Sequence, residues 1–228
     1  MILLAIDTSS QAASAALFGE KGLMAEIRLN NNSRHSRTVL DLIDKTVSAA
    51  GIEKAEITGL ACSRGPGSFT GLKVGMAVIK GLRAALNCPA VTVSQLEALA
   101  YPLRMSERLI VPVVEAGRGM VYAAKYRAVS GKLTLLEKQA VYEPSTLMEA
   151  LDSPALVCGS GLKLCRDFLE KSPAPVVAAG SFYDLPRAGV LAELAWGSFK
   201  ENSPEETDPL VPDYLMEPAA IVKPQRPC

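Results

Sequence analysis

The segment Gly65-Pro66-Gly67-Ser68-Phe69-Thr70-Gly71, with Lys73-Val74-Gly75 close behind, limits the fold more than any other stretch of the chain. It lies between a short apolar run, Ile57 to Cys62, and an Ala/Gly/Leu-rich segment from Leu72 to Leu86, which makes it a strand-to-helix turn. Its glycines allow positive φ or close backbone approach, Pro66 fixes φ, and Ser68 or Thr70 can cap the helix that follows. Two uses fit such a turn. Its amides around Gly65, Gly67 and Ser68 can hold an anion, or its glycines can serve close helix-on-sheet packing. A Walker-type phosphate loop is excluded, because Gly71 is followed by Leu72 and only then by Lys73.

With 228 residues, 49% of them apolar, the chain can bury a substantial core as one large domain or two small ones. Lys plus Arg and Asp plus Glu are both 24. Zero formal charge gives no long-range attraction to nucleic acid or to an anionic membrane, so any RNA contact needs a local patch or a partner. The start, Met1-Ile2-Leu3-Leu4-Ala5-Ile6-Asp7, has no basic leader, and no apolar run approaches the roughly 18 residues of a membrane span, so a cytoplasmic protein is expected. The five cysteines, Cys62, Cys88, Cys158, Cys165 and Cys228, form no CxxC pair. They suit reduced thiols better than disulfides or a zinc site, the first four as small core residues.

Residues 1–29 hold three strand-like runs, Ile2 to Asp7, Ala12 to Phe18 and Leu23 to Leu29, which predict a meander. Helical spacing through Val39, Ile43, Val47 and Ala50 predicts a helix from Ser33 to Ala50, with Asn32 or Ser33 as N-cap. Strand Ile57 to Cys62, helix Leu72 to Leu86, strand Ala90 to Val93 and a short helix from Ser94 to about Tyr101 follow. The second half repeats the order: runs Leu109 to Val114, Met120 to Arg127 and Lys132 to Tyr142, helix Pro144 to Leu151, strand Ala155 to Gly159 and helix Leu162 to Lys171. Strand Pro175 to Ala178 and a helix from about Leu185 to Lys200 complete it. Two copies of βββαβα, residues 1–104 and 105–228, predict an α/β protein with mixed sheets and helices on their faces. Paired ribonuclease H-like halves of this kind are the actin-like architecture, an analogy of topology that fixes no function.

Several residues have chemical readings. Asp7-Thr8-Ser9 ends the first strand, where actin-like folds hold a phosphate; a plain Asx/Ser turn is the competing reading. Gly159-Ser160-Gly161 takes the matching place in the second half, without the acid that such a turn is expected to carry, since Asp152 lies too far upstream. The single histidine, His35, has Val39 one turn later, so no helical metal pair forms. With no second histidine and no Gly-x-Ser-x-Gly elbow, hydrolase chemistry is not expected. Glu115 sits at a strand end, as a cleft carboxylate or a solvated hairpin charge. Helix Leu72 to Leu86 confines its polar side chains to Lys73, Lys80, Arg83 and the flanking Asn87, so it is covered on more than one side. Gly71 and Gly75 would admit a second helix, from another subunit or from the chain's own first helix. The proline-rich end from Pro209 reads as an extended tail packed along the body or a partner.

Ile6-Asp7-Thr8-Ser9, His35-Ser36-Arg37, the whole stretch from Gly65 to Gly75 and Pro212-Asp213-Tyr214-Leu215 together resemble the TsaB (YeaZ) family, over the full chain. The resemblance implies an actin-like, non-catalytic subunit that binds no metal and pairs with a paralog, TsaD, which transfers threonylcarbamoyl to the adenosine beside a tRNA anticodon. It implies a further partner, the ATPase TsaE, contact with tRNA only through the complex, and a homodimer when TsaD is absent. The paralog's metal-binding histidines lie on the helix matching Ser33 to Ala50, which fits the solitary His35. Pairing is attributed to the first two helices, which assigns His35, Val39, Ile43, Gly71, Gly75, Val78 and Leu82 to the interface. No tightly bound cofactor is implied, with ATP or ADP at a subunit boundary as the open case. One departure is that Glu115-Ala116-Gly117-Arg118-Gly119-Met120-Val121-Tyr122 stands where the family has Asp-Ala-Arg-x-Gly-Glu-Val-Tyr. The alternative function is an actin-fold ATPase or small-molecule kinase using Asp7-Thr8 and Gly159-Ser160-Gly161; a protease is argued against by the single histidine.

Overall fold

Residues 2–6 are apolar without a break, and the structure, a computed structural model describing residues 1–30, 35–201 and 210–213, shows why. Strand β1 (Ile2–Asp7) is covered on both faces. Leu4 and Ile6 point into one core with Val39, Leu42 and Ile79, while Leu3 and Ala5 point into another with Leu191, Ala195 and Trp196. Alternate side chains of a strand leave opposite faces, so burial of both faces requires an uninterrupted apolar run.

Around β1 the first sheet has the order β3-β2-β1-β4-β5. Strands β2 (Ala13–Gly19) and β3 (Gly22–Leu29) continue the meander antiparallel, and β4 (Gly59–Gly65) and β5 (Ala90–Ser94) run parallel to β1. Helices α1 (His35–Ala50) and α2 (Phe69–Leu86) cover one face. The second sheet, β10-β9-β6-β7-β8, repeats this pattern with β6 (Leu109–Gly117), β7 (Met120–Val129), β8 (Lys132–Tyr142), β9 (Ala155–Cys158) and β10 (Val176–Ala178). Helices α4 (Pro144–Glu149) and α5 (Leu162–Cys165) cover one of its faces. The expected two βββαβα units are therefore present, and the α/β class with mixed sheets is the observed one.

Element ends differ from expectation where local chemistry overrides pattern. Strand β4 starts two residues later than Ile57 and runs on into the glycine turn, ending at Gly65. Helix α2 begins at Phe69 rather than Leu72, because the Ser68 hydroxyl accepts from the Gly71 amide at 3.2 Å. The helix expected over 162–171 is one α-turn followed by a 3-10 stretch, Arg166–Lys171. Helix α6 (Ala188–Glu201) begins three residues after Leu185, whose helical conformation is disfavoured by Pro186 behind it. The predicted caps Asn32 and Ser33, Cys228 and most of the tail lie outside the described residues.

Chain order and packing part company at two helices. α3 (Gln95–Ala100) follows the first sheet but buries Leu96, Leu99 and Ala100 against Ile110, Val114 and Tyr126 of the second. α6 comes last and packs Leu191, Ala192, Ala195 and Trp196 on the first. Residues 1–104 thus do not complete the first layer set alone. The start of α6 is held by side chains from far upstream: the Ala188 amide donates to Ser14 Oγ (3.0 Å), the Gly189 amide to Glu26 Oε1 (2.9 Å), and Arg187 Nε to Glu26 Oε2 (3.1 Å). A carboxylate at a helix start also meets the positive end of the helix dipole. Replacing Glu26 by Ala strips the amide and the guanidinium of their acceptor, and it should lower stability by about 2 kcal/mol in urea unfolding.

Candidate functional site

The carboxyl ends of the parallel strands in both sheets open onto one cleft of about 1170 Å³. Ser9, Ser10, Gly67 and Gln95 line it from the first half, Glu115, Arg118, Gly159 and Ser160 from the second, with Arg28, Asp184 and Asp213 at its sides. Clefts at strand carboxyl ends are where α/β sheets place ligands.

The first wall is the turn after β1. Asp7 is buried, and its Oδ1 accepts the Ser9 hydroxyl at 2.6 Å and the Ser9 amide at 3.3 Å, while Oδ2 has no partner. Burial raises its pKa to about 6, against the pull of the Ser9 hydrogen bonds and the Arg28 charge. The glycine turn is seated directly on this strand end. Thr8 Oγ1 donates to the Gly71 carbonyl at 2.7 Å and the Ser68 amide donates to the Ser9 carbonyl at 2.8 Å. A Cβ on Gly71 would overlap the Thr8 carbonyl oxygen, one on Gly75 the Thr8 hydroxyl, and one on Gly67 the Ser9 carbonyl and Gln95 Oε1. Of the amides expected to hold an anion, that of Ser68 is therefore already engaged, and Gly65, at φ 101°, turns the chain into the helix.

The second wall repeats the device. Gly159, at φ 104°, lies against the Val113 carbonyl, which also accepts the Gly161 amide at 3.0 Å. The acid missing from the local sequence is supplied from downstream, since Asp184 lines the same cleft with Oδ1 buried and unpartnered, its pKa raised by burial against the Arg166 charge. Each half thus holds one buried carboxylate oxygen without a partner, Asp184 in the cleft lining and Asp7 behind it. Arg28 Nε and Gln95 Oε1 are likewise without partners, and burial together with the Arg187 charge lowers the Arg28 pKa. Glu115 faces the cleft but is paired with Lys163 at 2.6 Å. The cleft offers hydrogen-bonding capacity that the chain does not use itself. Among the described residues no three His, Cys, Asp or Glu side chains gather into a metal site, and Cys62, Cys88, Cys158 and Cys165 are buried and form no disulfide.

The expected interface residues separate into two groups. Val39 and Ile43 are within the first core, and Gly71 and Gly75 face Thr8, so the close approach they permit is to the chain's own strand end. Val78 and Leu82 are half-buried against the same core, and the His35 side chain lies outside the described residues. Exposed on the pair, among charged residues such as Asp44, Lys73 and Lys80, are Leu40 of α1 and Ala77, Gly81, Ala84 and Ala85 of α2; a Cβ on Gly81 would meet nothing within 4 Å.

Among known proteins, a family model for TsaD, tRNA N6-adenosine threonylcarbamoyltransferase, matches residues 6–219. The tRNA threonylcarbamoyladenosine biosynthesis protein TsaB of Bacillus subtilis is 30% identical over 223 residues, 94% of each chain. This chain belongs to the TsaB family of tRNA threonylcarbamoyladenosine biosynthesis proteins. The solved structure of YeaZ from Pseudomonas aeruginosa superposes with a TM-score of 0.81 at 28% identity, covering 94% of this chain and 99% of that one. Beyond the TsaB family, the activator of 2-hydroxyisocaproyl-CoA dehydratase from Clostridium difficile, solved with ADPNP, matches at TM-score 0.50 and 10% identity over 89% of this chain and 98% of that one, a likeness of fold alone. The fold is the actin-like one that the repeat predicts.

Two outcomes follow from the seating of the glycine turn and from Asp7. Gly71→Ala should destabilise by about 2 to 3 kcal/mol through overpacking, whereas Gly81→Ala should leave stability unchanged or raise it by about 0.5 to 1 kcal/mol, both read by chemical denaturation. The raised Asp7 pKa means that the folded chain binds this proton more tightly than the unfolded one, so stability falls as pH rises from about 4 to about 6. The Asp7 contribution to that slope amounts to roughly 3 kcal/mol at most, and it should vanish in Asp7→Asn when denaturation midpoints are followed across pH.

Proposed function

We propose that the chain acts as a helper subunit that pairs with a TsaD-like transferase in threonylcarbamoyladenosine formation on tRNA. The observation that carries this is the outer face of α2. Ala77, Gly81, Ala84 and Ala85 make an exposed stripe of small residues, flanked by the exposed Lys73 and Lys80, on a helix whose other side is locked to Thr8, and Leu40 is exposed on α1. Small residues on an exposed helix face let a second helix approach closely, and two copies of the same face would also satisfy a two-fold homodimer when the transferase is absent. The neutral net charge supports contact with tRNA through the assembled complex rather than by the chain alone. A TsaE-like ATPase is the further partner in this reading, and the cytoplasm the compartment; among the described residues no helix is long and apolar enough to cross a membrane.

A second reading, an actin-fold ATPase or kinase, draws support from the unpartnered oxygens of Asp184, which lines the cleft, and of Asp7, buried in the turn behind the cleft residue Ser9. In the helper-subunit reading the cleft is not a catalytic centre, and a nucleotide, if held, lies there or at the subunit boundary. The two readings separate in one set of measurements. Ala77→Glu and Ala84→Lys should abolish co-purification with a TsaD-like partner without moving the unfolding midpoint, and titration calorimetry of the isolated chain with magnesium-ATP should give no turnover-coupled heat. Undiminished pairing by both variants would refute the helper-subunit proposal, and ATP hydrolysis by the isolated chain would establish the enzyme.

A further inference from the structure

The two halves meet in joints of different chemistry. One is apolar: α3 inserts Leu96, Leu99 and Ala100 into the core of the second sheet while remaining attached to β5 of the first. Beside it Tyr126 of β7 is buried in the same cluster. The other joint is polar and involves residues 210–213. Leu210 is 2% exposed in the core between the first sheet and α1 and α2. Three residues on, the Asp213 amide donates to the Arg64 carbonyl at 2.8 Å, and Asp213 Oδ2 accepts both Arg64 Nε at 3.0 Å and Gln139 Nε2 at 3.2 Å. Arg64 belongs to β4 of the first sheet and Gln139 to β8 of the second. A single carboxylate oxygen, on a residue that itself lines the cleft, therefore bridges the two sheets.

We propose that Leu210–Asp213 is a clasp that sets the width of the cleft, with Leu210 as its fixed end and the Asp213–Gln139 bond as its releasable end. The asymmetry of the two joints gives this its physical basis. Parting α3 from the second sheet would expose apolar surface to water, whereas the carboxylate of Asp213 is already 35% exposed and Gln139 only half-buried, so the bond between them is exchanged for water at little cost. Motion between the halves therefore takes α3 as hinge and opens at the clasp, because the interface with the weakest and best-hydrated contacts yields first. The Gly65 turn sits directly under the clasp, since a Cβ there would lie 3.7 Å from the Asp213 carbonyl, so the clasp also bears on the turn that starts α2.

Hydrogen–deuterium exchange on the full chain tests this. Gln139→Ala removes only the arm to the second sheet and leaves Leu210 and the Arg64 bonds in place. Exchange should rise at least about ten-fold in β8 around Gln139 and in the turn from Gly65 to Ser68, with the global unfolding midpoint unchanged. Gln139→Glu, which sets a second carboxylate beside Asp213, should do the same. Lys54→Ala, which breaks the exposed pair with Asp44 on the first half, should leave both segments unchanged. Exchange that stays at wild-type level in both segments in the two Gln139 variants overturns the clasp. So does a uniform rise across the chain with a lowered midpoint, which would make Gln139 a general stability residue.

Discussion

The contact on which the rest of the structure depends is the seating of α2 on the end of β1. Thr8 and Gly71 approach so closely that no side chain fits between them, and the Thr8 hydroxyl fixes the register by donating to the Gly71 carbonyl. That one contact aligns a helix with the central strand of its sheet, closes one wall of the cleft, and decides which side of α2 is left facing outward. A glycine against a strand carbonyl recurs at Gly159 and Val113 in the second half. Two sheets built alike thus present two like turns to a common cleft.

The cleft keeps polar groups that folding alone does not need. A buried carboxylate oxygen without a partner costs stability, as does a buried guanidinium nitrogen without an acceptor. Asp184, Arg28 and Gln95 carry such atoms around one space, and Asp7 carries one in the buried turn behind Ser9. Unused capacity concentrated in one place is the mark of a site that meets other molecules or water. It stands apart from the outer stripe of α2, a row of small exposed residues flanked by Lys73 and Lys80.

Much of the fold was legible along the chain because strand and helix periods are local properties. The unbroken apolar run of β1, the meander turns and the two βββαβα units follow from them, as does the cap at Ser68. The site was legible by halves. Gly67 and Gly159 line the cleft and Asp7 is buried behind Ser9, but Asp184 stood outside the motif expected to carry an acid, since it comes to the cleft only through tertiary packing. Val39, Ile43, Gly71 and Gly75, expected at a partner interface, pack within the chain itself for a related reason: helical spacing says that residues share a face, and small size says that something comes close. Neither says whether the neighbour is the chain's own strand or a second subunit.

The sequence by itself determined the class, the topological repeat, the tight strand-to-helix turn and the family resemblance, because each rests on residues near one another in the chain or on a pattern of types. Only the tertiary structure decided that α3 and α6 cross to the opposite sheets, that Glu26 and Ser14 cap a helix some 160 residues away, and that Asp213 joins β4 to β8. These are pairings between distant segments. Their energy depends on which buried donors and acceptors are left over once every local bond is made, and that remainder is defined only when the sheets and helices have packed.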